Sequence, residues 1–195
     1  MTFDDGPDDW TEPILDTLKR EGVRATFFVL GDSIASRESV LVRAAAEGHE
    51  IGNHTFGHPP LQDLSREEIR NELTTTSEIV EAIIGIPPRV FRPPYFRVSP
   101  DVLDVAGECG FEWTVQASVF TDDWKLPEAK AIVAGILPHV ERGSIIDLHD
   151  GRPPHEPLTV SRPDRWPTVR AVATLVPELS ARGFEFVTVS ELLAL

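Results

Sequence analysis

The stretch WTEPILDTLKREGVRATFFVLG, residues 10–31, carries the pattern that decides the fold. Ile14, Leu15 and Leu18 recur at helical spacing, and Gly22 supplies a stop. The run that follows, VRATFFVLG (23–31), is short, apolar and rich in aromatic and β-branched residues, which reads as a buried strand. The same helix-then-strand unit recurs in SVLVRAAAEG (39–48) with HEIGNHT (49–55), and in REEIRNELTTTSEIVEAII (66–84) with RVFRPP (89–94). SPDVLDVAGECG (99–110) precedes FEWTVQASVF (111–120), LPEAKAIVAGILPHV (126–140) precedes SIIDLH (144–149), and WPTVRAVATLVPELSARG (166–183) precedes FEFVTVS (184–190). Such alternation predicts a parallel α/β sheet, closed into a barrel or open. No linker, repeat or low-complexity tract divides the 195 residues, so a single domain over 1–195 is expected.

Composition narrows the function classes. The formal net charge of −14 repels phosphate backbones and anionic lipid surfaces, which argues against nucleic-acid and membrane partners. Apolar runs such as ATFFVL (25–30) are too short to span a bilayer, and no basic segment leads into an apolar one as in a signal peptide. Localisation is not legible. Cys109, the one cysteine, permits no internal disulfide and reads as an inert thiol near a helix end.

The ends of the expected strands carry residues that a plain core would not choose. Asp4 and Asp5 sit together in TFDDGP (2–7), where two ionised carboxylates repel unless a cation, a helix N-terminus or a proton stabilises them. HTFGH places His54 and His58 four apart, a spacing that would set both on one side of a helical turn. RPPY supplies Arg92, Pro93, Pro94 and Tyr95; DDW supplies Asp122, Asp123 and Trp124; LHD supplies His149 and Asp150. In a parallel α/β fold the carboxyl ends of strands are where chemistry collects.

TFDDGP, HTxxH, RPPY, DDW and LHD, in this order, resemble the five motifs of the polysaccharide deacetylases, the NodB-homology domain of carbohydrate esterase family 4. The resemblance runs from Thr2 to the final VTVSELL. It implies a distorted (β/α) barrel of about seven strands, and removal of acetyl groups from N- or O-acetylated sugars in a glycan such as chitin, peptidoglycan or xylan. It also implies a divalent metal, Zn²⁺ first and Co²⁺ or Mn²⁺ as alternatives, held by Asp5, His54 and His58. On the same footing Asp4 is the general base, Arg92 the cation that holds it, Tyr95 the backbone donor to an oxyanion and His149 the general acid. Trp124, Asp147, Phe96 and Pro93 match substrate-binding positions. Family members usually carry three to five apolar residues ahead of TFDDGP, so the first strand reads as trimmed.

Three residues depart from the family pattern. Aligned without a gap, SVFTDDW puts Phe120 where many members carry the aspartate that tunes the acid histidine, so that carboxylate is expected to be missing. Asp147 stands where the family has a leucine, two residues from His149 and therefore on the same face of a strand, and is expected to serve as the substitute partner. Phe96 replaces the glycine common after RPPY and is expected to narrow the sugar cleft or to reshape the loop of the third motif. Two rival readings remain at this level: a deacylase or deformylase of a small N-acyl molecule, and a catalytically silent glycan-binding module of the same fold.

Overall fold

The computed structural model describes residues 1–153, His155, Pro157 and 164–194; the remaining positions of the expected domain, Pro154, Glu156, 158–163 and Leu195, lie outside the described residues. Seven strands, β1 (Thr2–Asp4), β2 (Thr26–Val29), β3 (Glu50–Asn53), β4 (Val90–Phe91), β5 (Trp113–Thr114), β6 (Val119–Phe120) and β7 (Ile146–His149), form one parallel sheet. Its order is β5-β4-β3-β2-β1-β7-β6. The helices are α1 (Thr11–Glu21), α2 (Gly31–Ile34), α3 (Glu38–Ala46), α4 (Arg66–Ile84), α5 (Pro100–Glu108), α6 (Ala129–Ile136), α7 (Trp166–Ala181) and α8 (Val189–Leu193). The sheet curls into a half-barrel whose edges, β5 and β6, do not pair with each other.

Two predicted strands differ from the observed ones. FEWTVQASVF is split into β5 and β6 at opposite edges, because Val115 N–H donates to the Phe91 carbonyl while Ser118 and Val119 N–H both turn to the Ile145 carbonyl. FEFVTVS forms no strand. Its end becomes the start of α8, because Thr188 and Glu191 complete a reciprocal capping box there.

Strand periodicity sorts the side chains. Phe3, Phe27, Ile51 and Leu148 point outward and are buried with Ile14, Leu15 and Leu18 of α1 and Val172, Leu175 and Val176 of α7 in the main core. The other face looks into the barrel. There Phe28, Val90 and Val115 pack with Val189 of α8. α8 is seated on the strands by Val189 N–H donating to Thr26 Oγ1 at 2.9 Å and Ser190 N–H donating to a Glu50 carboxylate oxygen at 3.1 Å.

The register places the chemistry. Asp4 stands opposite His149, and Thr2 opposite Asp147, across the β1–β7 pair. Residues two apart share a face, so all four project into the barrel, Asp4 and His149 at the carboxyl ends of their strands and Thr2 and Asp147 one step below. Asp150 and Gly151 N–H both donate to the Asp4 carbonyl, at 3.2 and 3.3 Å, and lock the tips of the two strands together. Gly151 lies so close to the turn after β1 that a Cβ built on it would sit 2.2 Å from the Asp5 carbonyl oxygen. Gly151→Ala should therefore lower the denaturant midpoint by an amount worth about 1–3 kcal/mol, the usual cost of overpacking, because a backbone atom rather than a flexible side chain has to move. A midpoint equal to that of the parent, read by fluorescence in urea, would show that the turn yields freely.

Candidate active site

The turn after β1 presents Asp4 and Asp5 with their backbones in different regions, Asp5 adopting a left-handed φ of 73°. The loop after β3 carries His54 and His58. It is not the helical turn that their spacing predicts: Thr55 and His58 have φ of 76° and 61°. Its shape is held by Thr55 N–H donating to Asn53 Oδ1 at 2.8 Å, His58 N–H to Thr55 Oγ1 at 3.0 Å, and Phe56 and Gly57 N–H to the Glu72 carboxylate on α4 at 2.9 and 2.8 Å. Tyr95 and Phe96, after β4, are also left-handed, with φ of 60° and 55°. Left-handed backbone costs a non-glycine residue on the order of 1 kcal/mol, and among the described residues all five such positions stand in these three loops of the site.

The loops surround a cavity of about 320 Å³. Of the site residues expected from sequence, Asp4, Asp5, His54, His58, Pro93, Tyr95, Phe96, Trp124, Asp147 and His149 all line it. Arg92 lies beneath, fully buried.

Asp5, His54 and His58 converge. Each histidine Nε2 lies 3.5 Å from Asp5 Oδ1, longer than a good hydrogen bond, and Oδ1 accepts no hydrogen bond among the described residues although it is buried. Ligands of a tetrahedral Zn²⁺ with bonds of about 2.0–2.1 Å stand about 3.3–3.4 Å from one another, so the three side chains fit a shared cation. His54 Nδ1 is 2.7 Å from the Arg92 carbonyl oxygen, which favours a proton on Nδ1 and a lone pair on Nε2, toward the cluster. Burial lowers the His54 pKa and raises that of Asp5, with Asp4 adding to the rise; both shifts are those of ligands packed together ahead of the positive charge they would share.

Asp4 and His149 sit on either side of the β1–β7 junction with opposed electrostatics. Burial pushes the Asp4 carboxyl up, but Arg92, His54 and His149 outweigh it and hold the pKa below its ordinary value. Arg92 Nη1 donates to Asp4 Oδ1 at 2.8 Å. Burial pulls His149 down, yet the Asp123 carboxylate, joined by Asp147 and Asp5, outweighs it and the imidazole pKa stands well above its ordinary value. His149 Nδ1 is 2.8 Å from Asp123 Oδ1, and its backbone N–H donates to Asp123 Oδ2 at 3.0 Å. Thr168 Oγ1 donates to that same oxygen at 2.7 Å from α7. Nε2 of His149 is thereby left to face the cavity.

Two expectations from sequence are overturned here. The carboxylate that tunes His149 is present: it is Asp123, directly before Trp124, and the exposed Phe120 leaves nothing missing. Asp147 is not its hydrogen-bonded substitute, because Asp147 Oδ1 accepts from Arg92 Nη1 at 2.8 Å; its charge adds to the rise of the His149 pKa only behind that of Asp123. Burial, reinforced by Asp4, pushes the Asp147 carboxyl well above the ordinary range, so Asp4 ionises before it. The DDW motif itself held the signal for Asp123. Two further buried residues had no role in the sequence reading: Asp150, singled out there only as part of LHD, is wedged under Gly6 and accepts from Thr11 Oγ1 at 2.6 Å, and Arg165, not singled out at all, lines the cavity and donates from Nε to the Gly151 carbonyl at 2.8 Å.

The profile of the polysaccharide deacetylase family matches residues 1–114. A chitooligosaccharide deacetylase of Bradyrhizobium sp. (strain ANU 289) is 39% identical over 188 residues, covering 95% of this chain and 85% of that protein. This chain belongs to the polysaccharide deacetylase family. Among solved family structures, the Bc1960 peptidoglycan N-acetylglucosamine deacetylase, in complex with a naphthyl N-hydroxybenzamide, superposes with a TM-score of 0.88 at 38% identity, over 98% of this chain and 85% of that one. A family 4 acetyl xylan esterase from Clostridium thermocellum, in complex with a cobalt ion, superposes with a TM-score of 0.86 at 32% identity, over 99% of this chain and 88% of that one.

The Asp123–His149 pair yields a signed prediction. Because Asp123 raises the imidazole pKa, His149 keeps its proton to higher pH than an ordinary histidine, and losing the carboxylate removes that support. In Asp123→Asn the alkaline limb of the kcat/KM profile should move to lower pH while the acidic limb, governed by the carboxyl side of the site, keeps its place. An alkaline limb that stays put would detach His149 from that limb.

Proposed function

We propose that this chain is a metal-dependent deacetylase of N-acetylated amino sugars within a glycan, of the chitin or peptidoglycan class. One observation carries the reading: Asp4, held by Arg92 at 2.8 Å, and His149, held by Asp123 at 2.8 Å, stand opposite one another across β1 and β7, the one kept ionised and the other kept protonated, beside a cluster fit for a cation. The relatives named for chitooligosaccharide and peptidoglycan deacetylation support the substrate class.

Asp5, His54 and His58 are the residues that would hold the ion, Zn²⁺ by the chemistry of one carboxylate with two imidazoles and Co²⁺ as an alternative supported by the cobalt-bound relative. Bound there, a divalent cation supplies Lewis-acid polarisation of the acyl carbonyl and lowers the pKa of water. Asp4, kept ionised by Arg92, accepts a proton from the attacking water as its oxygen bonds to the carbonyl carbon. Tyr95, on the left-handed turn that lines the cavity, would offer its backbone N–H to the oxygen on which negative charge develops. His149 Nε2 then gives its proton to the amide nitrogen as the C–N bond breaks, leaving acetate and a free amine. Asp123 steadies the imidazolium beforehand and thus keeps the acid charged in the resting site.

The Asp123–His149 hydrogen bond also weighs against a silent glycan-binding module, since binding alone needs no tuned acid. A small N-acyl substrate is chemically equivalent at the reacting bond and differs only in what fills the rest of the cavity.

Asp5→Ala, His54→Ala and His58→Ala should each weaken Zn²⁺ or Co²⁺ binding severely in calorimetric titration and abolish acetate release from N-acetylglucosamine oligomers. Asp4→Asn should keep the metal and lose roughly two to four orders of magnitude in kcat, the span expected for removal of a general base. Unchanged metal affinity in all three ligand variants, or a near-normal kcat in Asp4→Asn, would overturn the corresponding role.

A further inference from the structure

The two edges of the sheet face each other across a seam, and two phenylalanines meet above it. Phe96 comes from the turn after β4, Phe120 from the end of β6, and their ring centroids are 5.9 Å apart at an interplanar angle of 44°. Both line the cavity that holds Asp4 and His149. Phe120 is 59% exposed, although an aromatic ring of this size is worth roughly 1.5–3 kcal/mol when buried. Phe96 is presented by a left-handed backbone, with Gln116 Nε2 donating to its carbonyl at 3.3 Å. A ring left to water and another set on strained backbone, side by side on the rim of a reaction cavity, form a surface that packing alone does not require.

The nearby aromatic on the same cavity is engaged differently. The Trp124 ring carries the Lys125 ammonium 3.9 Å from its centroid. Phe96 lies over Arg92, with the guanidinium carbon 5.6 Å from its centroid, and the Tyr95 ring, though also exposed, is set against His58 at 4.6 Å and under Arg97 at 5.6 Å; Phe120, whose ring meets only Phe96 among these, is the one most open to an incoming molecule. Neither phenylalanine offers a proton or a charge, so the contact they can make is apolar and shape-dependent. A pyranose ring has a suitable partner surface: its axial C–H bonds form an apolar face, while its hydroxyls project from the edge.

We propose that Phe120, backed by Phe96, stacks on the C–H face of the sugar adjoining the one being deacetylated, and that this platform makes the enzyme select oligosaccharides over single sugars. The inference rests on the glycan deacetylase reading and adds a specificity determinant peculiar to residues of this chain. Phe120 is the residue to truncate, since Phe96 also covers Arg92.

The test uses metal-loaded full chain and compares the tetramer of N-acetylglucosamine with 4-nitrophenyl acetate, which has no second sugar. In Phe120→Ala the ratio of kcat/KM for the tetramer to that for the ester should fall about tenfold, chiefly through KM, the size expected when one aromatic contact is lost. Phe120→Tyr should restore the ratio. Calorimetry of tetramer binding to the metal-free protein, where no turnover competes, should show the same loss of about tenfold in affinity. A ratio unchanged in Phe120→Ala, whether both activities fall together or neither does, would overturn the platform and leave the ring pair as a clasp of the seam. Should the parent protein cleave the ester but release no acetate from any oligomer, the glycan reading itself fails. The platform then stands on the binding titration, and absence of tetramer binding to the parent would overturn it as well.

Discussion

The guanidinium of Arg92 is the constraint on which the interior depends. It is fully buried, reaching across from the end of β4, and the two N–H groups of its Nη1 are shared among Thr2 Oγ1 at 2.7 Å and carboxylate oxygens of Asp4 and Asp147, each at 2.8 Å. The Phe28 ring lies under it, 4.2 Å from centroid to guanidinium carbon. A buried cation is tolerated only with its counter-charges in place, and removing one partner from such a pair costs about 3–5 kcal/mol. β1, β4 and β7 are therefore tied together at one level by charge. The apolar layer of Phe28, Val90, Val115 and Val189 fills the barrel on one side of that level, and the reactive groups stand on the other.

The same constraint explains why Asp147 is acceptable where an apolar residue would be expected in a buried strand. Arg92 supplies the donor that a buried carboxyl needs. Asp147 shares that donor with Asp4 without displacing it, and its proton-holding tendency leaves Asp4 the anion of the two.

Periodicity made the α/β class and most of the helices legible, and the polar residues at strand ends located the site, because both are written in local spacing. Whatever depended on distant partners was not. FEWTVQASVF looks like one strand until its two halves choose Phe91 and Ile145 as hydrogen-bond partners. The four-residue spacing of His54 and His58 suits a helix, yet Asn53 and Glu72 bend the segment into a loop in which the same two rings converge on Asp5. Asp123 was overshadowed by Phe120 because a gap-free alignment assigns roles by position, whereas the carboxylate that serves His149 is the one whose strand end and supporting Thr168 bring it within reach. Asp147 lay on the correct face for His149, and it was the buried Arg92, invisible from that strand alone, that claimed it.

The unpaired seam between β5 and β6 bears on how the protein behaves in a crowded solution. Open sheet edges present unsatisfied N–H and C=O groups to any passing strand and are the usual starting points of aggregation. Here each edge strand is two residues long, and residues 115–118 run from one edge to the other. That short tether limits how far the two edges can part, and a foreign chain finds no long ladder to extend at either of them. Two-residue edges joined by a short connection thus offer a foreign strand little to pair with, and the charge of −14 adds repulsion between copies of the chain.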